Sequence, residues 1–417
     1  MNSRKEALNI LFEVFKNNKF SNKLLNNLIK KEAMSKEDIA FIFKLVYGTI
    51  QYKIYLEYVV NKVIDPQKTD YKIQILLWMN LYQLKFLESK AYYVINESVE
   101  ITKEINKNFS GLVNKVSKVL TNQELWKVEI KNKQNIFALE NGFPFWLYKK
   151  IEKDYSKEDA KQFVLFTNIQ SKISLRVNTL KISIEDFENL YLEKYSLIKS
   201  ELLEGFYLSD FNIVNEEIFL KGLVTIQDQT SGLASEILNP KPNSKVLDMC
   251  CAPGGKLTHL GQIMNNTGII VGNELQKNKE KLIQENITRL GVKNISLIFG
   301  NALDINEEDY DFILLDAPCS GYGVIRQKPE IKLKKYSQEE VEELLEVQSK
   351  LLEKAYKCSK VGTEIVYSTC TINKDENEKQ IEKFLNNHNN IKKIYEKIFF
   401  GNEFNNDGFY ICKMKRI

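Results

Sequence analysis

Two cysteines stand where apolar runs stop. The run Phe312-Ile313-Leu314-Leu315 ends in Asp316-Ala317-Pro318-Cys319-Ser320-Gly321-Tyr322-Gly323, and the run Ile365-Val366-Tyr367 ends in Ser368-Thr369-Cys370-Thr371. A β-like run that stops at an acid, a proline, a thiol and glycines is how a parallel strand delivers reactive groups at its carboxyl end. Two neighbouring strands of this kind would bring both thiols to one edge of a sheet. A lone cysteine at a strand end is ordinarily an inert, buried small hydrophobe. Asp316 and the turn residues beside Cys319 speak for more, because core packing alone does not ask for a carboxylate and a rigid turn next to a thiol.

The string Asp316-Ala317-Pro318-Cys319-Ser320-Gly321 with Gly323 and Arg326, together with Ser368-Thr369-Cys370-Thr371, resembles the two catalytic motifs of the RNA (cytosine-5)-methyltransferases, each of which carries one cysteine. Carbon 5 of cytosine is a poor nucleophile. A thiolate that first adds to carbon 6 makes carbon 5 electron-rich enough to take a methyl group, so covalent catalysis splits one hard step into easier ones. The resemblance implies that Cys370 is this nucleophile and that Cys319 assists breakdown of the adduct after the carbon 5 proton leaves. It places Asp316 against ring nitrogen 3, where protonation or a hydrogen bond offsets the charge that builds as the thiolate adds. Arg326 is an expected RNA contact.

A second constellation points to a nucleoside cofactor. The run Val246-Leu247-Asp248 leads into Met249-Cys250-Cys251-Ala252-Pro253-Gly254-Gly255-Lys256. Glycines at a first βα turn let backbone approach a ligand, and the helix behind them presents free amides to it. The string resembles the same family's glycine turn for S-adenosyl-L-methionine, which implies that Cys250, Ala252, Pro253, Gly254, Gly255 and Lys256 line the cofactor site and that Lys256 also lies near the reaction centre. Cys251 stands where the family usually has alanine and is expected to pack rather than react. Glu274 follows Gly254 by 20 residues at the end of the next run, the spacing at which an acid accepts ribose hydroxyls. Asn301 and Asp304 follow the run after that; Asp304 is expected at the adenine edge, and Asn301 and Asp316 are expected among the cofactor contacts.

The elements that must hold these groups follow from periodicity. From residue 223 to 417 apolar runs alternate with helical segments, which calls for a largely parallel sheet covered on both faces; by resemblance this is the Rossmann-like methyltransferase fold. Thr230 or Ser231 is the expected cap of its first helix. Residues 1–130 show the spacing of amphipathic helices throughout. Within them, Val94–Glu100 and Gly111–Val116 resemble the helical RNA-binding domain of the antitermination factor NusB. Residues 131–222 hold two helices, one starting near Phe143-Pro144-Phe145, and the alternating segment Ile173–Leu180. This resembles the small α+β, RNA-recognition-like module that precedes the family's catalytic domain. Arg176 within it is expected either to touch phosphate or ribose or to bridge two domains.

Composition sets the outer bounds. At 417 residues, with 43% hydrophobic and 27% charged residues, the chain has the make-up of a multi-domain globular protein. No apolar run approaches the roughly 18 residues that span a bilayer, and the early charges Arg4, Lys5 and Glu6 do not suit a secretory signal. A cytoplasmic location is expected. The six cysteines form no Cys-x-x-Cys pair and only two histidines occur, so no metal site is expected. The net charge of +4 is uneven, since residues 1–130 carry 20 Lys and Arg against 14 Asp and Glu, leaving −2 for the remainder. On charge alone a basic front end suits nucleic acid and a lysine-rich solvated helical surface equally well.

These features together lead us to expect a monomeric enzyme that methylates carbon 5 of one cytosine in 16S rRNA, with the helical front end selecting the ribosomal branch. A tRNA methyltransferase would use the same chemistry. A ribosome-assembly or antitermination RNA-binding factor with an idle catalytic domain is the alternative from another class.

Overall fold

Residues 1–130 have almost no helix breakers, and they fold as helices: Ser3–Asn17, Ser21–Ile29, Lys36–Gln51, Lys53–Val60, Tyr71–Phe86, Ala91–Asn106 and Ser110–Val119. The structure is a computed structural model that describes residues 2–29, 34–306 and 309–417. Asn2, Ser35 and Asp70 each accept a backbone N–H of the turn that follows, which satisfies amides that have no partner within the helix. Tyr71–Phe86 is buried at every position from Ile73 to Gln83. An all-round apolar helix must be central, and the others pack around it through Leu8, Leu11, Leu45, Val46, Leu56 and Val113.

The chain forms two compact units. One comprises Met1–Ile169 with Ile325–Lys335; the other comprises Gln170–Val324 with Tyr336–Ile417. The helices Lys133–Glu140, Phe145–Asp154 and Lys157–Thr167 thus belong with the first unit, together with a segment from deep in the catalytic sequence. Within that unit Glu330 accepts hydrogen bonds from the backbone N–H of Ser21 at 2.9 Å and from its hydroxyl at 3.1 Å.

The second unit holds two sheets. Strands β1 (Ile173–Val177), β2 (Ile198–Lys199), β3 (Phe206–Ser209) and β4 (Val224–Ile226) form a four-stranded sheet in the order β2-β3-β1-β4, with every pairing antiparallel. The larger sheet is built from β5 (Lys245–Asp248), β6 (Ile269–Glu274), β7 (Ile295–Phe299), β8 (Tyr310–Asp316), β9 (Ser359–Thr369), β10 (Ile391–Phe399) and β11 (Phe409–Arg416). Its order is β10-β11-β9-β8-β5-β6-β7. Strands β7, β6, β5, β8 and β9 run parallel, and β11 and β10 close the edge antiparallel. This is the Rossmann-like methyltransferase sheet, and it bears out the alternation read from the sequence. The order reverses between β5 and β8, so their carboxyl ends open a crevice where ligands bind in such folds.

Local chemistry refines one expectation. The helix Gln229–Leu238 is capped by Asp228, whose side chain accepts the amides of Thr230 and Ser231, rather than by either of those two residues. Its carboxylate reaches a third donor, the amide of Asp407 at 3.1 Å, which a hydroxyl could not serve at the same time. Pro144 precedes the helix Phe145–Asp154 in extended conformation, outside its first turn. Among the described residues no helix is long and apolar enough to cross a membrane.

Candidate active site

The parallel pairing of β8 with β9 sets Asp316 opposite Ser368. Ser368 Oγ donates to Asp316 Oδ1 and Lys256 Nζ to Oδ2, each at 2.8 Å. Both carboxylate oxygens are therefore held, by a hydroxyl and by a cation that also lies 5.1 Å from the Phe409 ring centre. Beyond the strand ends the two loops converge until Cys319 Sγ and Cys370 Sγ are 3.2 Å apart. Contact with Cys370, burial, and the negative charges of Glu376 and Asp316 push the Cys319 thiol well above its ordinary range. At neutral pH Cys319 thus keeps its proton, in a contact for which either sulfur can be the donor.

Glycine makes this convergence possible. Gly323 donates its N–H to the Cys370 carbonyl at 3.0 Å, and Gly408 donates to the Gly323 carbonyl at 2.9 Å. A Cβ on Gly323 would lie 1.9 Å from the Gly408 carbonyl oxygen, so no other residue fits while three backbone segments stay in contact. The closing strand is thereby tied to both cysteine loops.

The residues expected to line a cofactor site follow the ends of β5, β6 and β7. Gly254 adopts φ +100°, a left-handed geometry suited to glycine, and caps the helix Gly255–Ile263. The first amides of that helix have no acceptor within it. Ala252 is half-buried and Pro253 exposed on the same turn, and Asn286 donates to the Pro253 carbonyl at 3.0 Å. Burial, with the charges of Asp248, Asp316 and Glu274, pushes the Cys250 thiol up to about 12, so it forms a neutral wall. Cys251 is buried against Leu257, Leu260 and Ile283, in the packing role expected. Glu274 ends β6 and accepts from the Gln276 amide at 3.0 Å and Lys279 Nζ at 2.8 Å through Oε1. Asn301 accepts from the Leu303 amide at 3.1 Å, and Asp304 is exposed one turn on.

Asp248, at the end of β5, went unsingled in the sequence although it opens the glycine string. Its side chain is buried; Oδ1 accepts from the Cys250 amide at 3.4 Å, and Oδ2 has no hydrogen-bond partner among the described residues. Burial and then the charge of Asp316 push its carboxyl up to about 7, against the opposing pull of Lys256. An orphaned buried acid oxygen, two further acids and a glycine-opened helix start suit a nucleoside that carries positive charge, as S-adenosyl-L-methionine does.

The raised Asp248 pKa makes stability depend on pH. The native carboxyl keeps a proton that the unfolded chain has released, so stability is lost as pH rises from about 4 to about 7. Asp248→Asn escapes that loss. Its melting temperature relative to wild type is expected to climb by about 3 °C or more between about pH 5 and about pH 8; a flat difference in scanning fluorimetry would remove the buried charge from Asp248.

The two arginines are each engaged with other parts of their own unit. Arg176 is only 2% exposed and donates to Gln227, to the Gly255 carbonyl at 3.0 Å and to Thr258 at 3.2 Å. It braces the small sheet against the helix that follows the glycine turn, the bridging role left open by the sequence, and offers RNA no accessible surface. Arg326 folds with the first unit, its guanidinium 4.3 Å from the Phe166 ring centre. Sequence reasoning also passed over Ser368, which sits inside a quoted motif, and Glu376, whose only signal is its place six residues after Cys370.

Known proteins resemble the chain along its whole length. Residues 235–415 match the family described as 16S rRNA methyltransferase RsmB/F, residues 1–122 the NusB family, and residues 143–202 the RsmF/B-like ferredoxin-like domain. A probable ribosomal RNA small subunit methyltransferase B of Bacillus subtilis is 33% identical, with 98% of each chain covered. The ribosomal RNA small subunit methyltransferase B of Shewanella oneidensis is 30% identical over 85% of this chain and 83% of its own. The crystal structure of PH0851 has the same fold, with a TM-score of 0.85 at 23% identity, covering 100% of this chain and 99% of that one. A domain order shared from end to end with relatives at this identity makes the chain a member of the 16S rRNA methyltransferase RsmB/F family.

Proposed function

We propose that the protein methylates carbon 5 of one cytosine in 16S rRNA through a covalent adduct between Cys370 and carbon 6, acting as a monomer in the cytoplasm. The observation that carries this is the pair of sulfurs 3.2 Å apart beside a carboxylate held by Lys256 and Ser368. The methyl group comes from S-adenosyl-L-methionine, for which Gly254, Gly255, Cys250, Ala252, Pro253, Glu274, Asn301 and Asp304 would form the cradle.

The chain's own groups divide the work. The target base must leave its stack to reach a recessed site, as it does for other base-modifying enzymes. Cys370 thiolate forms a bond to carbon 6 while Asp316 supports nitrogen 3, and Lys256 and Ser368 hold Asp316 in place. After carbon 5 has taken the methyl group, its proton passes to water, the electron pair left behind re-forms the ring double bond, and the carbon 6–sulfur bond breaks with its pair on the Cys370 sulfur. Cys319, kept as a thiol, hands its proton to the departing Cys370 sulfur. The domain of residues 1–130 and the module of residues 131–222 serve RNA binding, and residues 223–417 the chemistry.

Bisulfite sequencing of total RNA from cells with and without the gene tests the proposal. Loss of one 16S methylcytosine is the expected result. Loss in tRNA instead would keep the chemistry and move the substrate, whereas no change at any cytosine would leave an RNA-binding factor.

A further inference from the structure

Glu376 is 1% exposed, yet it touches neither Lys256 nor the cofactor crevice. Its carboxylate is filled by donors from three elements. Oε2 accepts from the Ser320 amide at 2.8 Å and from Gln348 Nε2 at 3.0 Å; Oε1 accepts from Ser320 Oγ and from Asn373 Nδ2 at 2.8 Å. Ser320 follows Cys319, and Asn373 lies three residues after Cys370. Ser320 Oγ also contacts Thr371 Oγ1 at 2.8 Å, and Gln348 of the helix Gln338–Lys357 donates at 2.9 Å to the carbonyl of Pro318. One buried carboxylate thus joins the residues on both sides of the sulfur pair. Four hydrogen bonds to a charged acceptor also offset the cost of burying it.

The two cysteines depend on it unequally. The Cys370 loop has its own supports. Thr369 is paired with Tyr410 of β11, and Asn377 accepts from Thr369 Oγ1 at 2.6 Å while donating to the Thr371 carbonyl at 2.9 Å. The Cys319 loop is held ahead of its cysteine by Gln348 on the Pro318 carbonyl and by the Ala317 amide on the Ser368 carbonyl, whereas Ser320, directly after the cysteine, meets Glu376 through both its amide and its hydroxyl.

We infer that Glu376 is a positioning residue that sets the distance of Cys319 from Cys370, and hence serves release of the methylated RNA more than the attack that precedes it. This rests on the covalent mechanism proposed above. When Glu376 is lost, Cys370 still adds to carbon 6 and methyl transfer still occurs, but the proton needed by the departing sulfur is out of reach. The bond that should break persists.

The test compares Glu376→Ala, Glu376→Gln and Cys319→Ala in the full-length protein with 16S rRNA and S-adenosyl-L-methionine. Denaturing gels read the covalent adduct, and rapid-quench sampling separates the first turnover from later ones. Glu376→Ala is expected to accumulate adduct, to slow later turnovers at least about 10-fold and to slow the first turnover no more than about 3-fold. Glu376→Gln keeps an oxygen for the Ser320 amide and should restore much of the release. Equal slowing of all turnovers by Glu376→Ala, with no adduct, would overturn the inference. Should that variant fail to fold, Ser320→Ala removes the hydroxyl link alone; adduct above the wild-type level supports the role, and its absence refutes it. A Cys319→Ala protein that traps nothing would overturn the role given to Cys319 in the proposed mechanism, and this inference with it.

Discussion

Cys319→Ala protein mixed with 16S rRNA and S-adenosyl-L-methionine should migrate on a denaturing gel as a protein–RNA conjugate, with methyl label inside it. Removing the S–H that lies 3.2 Å from Cys370 Sγ leaves attack and methyl transfer possible but denies the departing sulfur its proton. The single methylation then becomes the last. Cys370→Ala should give the opposite picture, with no conjugate and methylation reduced to below about one thousandth, because the covalent step has no nucleophile. The two variants fail at different points of one sequence, so gel and label together read them apart. Conjugate from Cys370→Ala and none from Cys319→Ala would exchange the two roles.

Asp316→Ala should be nearly as damaging as loss of the nucleophile. Its carboxylate is fixed by Lys256 and Ser368, and supporting charge at nitrogen 3 while the thiolate adds accounts for about 10²–10⁴-fold in rate for a positioned acid. Combining Asp316→Ala with Cys319→Ala isolates the addition step, since adduct can form but cannot resolve. Conjugate in the double variant is expected to appear slower by about the same factor. Formation at the rate of Cys319→Ala alone would make Asp316 a partner for Lys256 and nothing more.

Much of this arrangement was legible in the sequence because strand ends are local events. An apolar run that stops at Asp316, at Glu274 or at the Gly254 turn announces both a strand and what it carries, and the parallel alternation brings those ends to one edge. The loops and partners beyond them are not local. The contact of Gly323 with Gly408 joins segments far apart in the chain, and either glycine alone reads as an ordinary turn. Glu376 looks like one acid among several in Lys374-Asp375-Glu376-Asn377-Glu378 until Ser320 and Gln348 close over it. Arg176 shows why scarcity of a residue type indicates importance without indicating the role. Its planar fork suits RNA phosphate, but here it meets the Gly255 carbonyl and two side chains inside the fold. The grouping of Ile325–Lys335 with the helical unit was invisible for the same reason, since the partner of Glu330 is Ser21.

That last pairing bears on how the chain is made. A ribosome releases residues in order, so the helical unit waits for its final segment until most of the second unit's sequence has already emerged. Ser21 and its neighbours have no Glu330 to meet while the strands of the catalytic sheet as far as β8 are being synthesised. A gene fragment ending at residue 169 would therefore yield helices that lack one of their own parts, and a clean separation of the two units requires three cuts in the polypeptide rather than one.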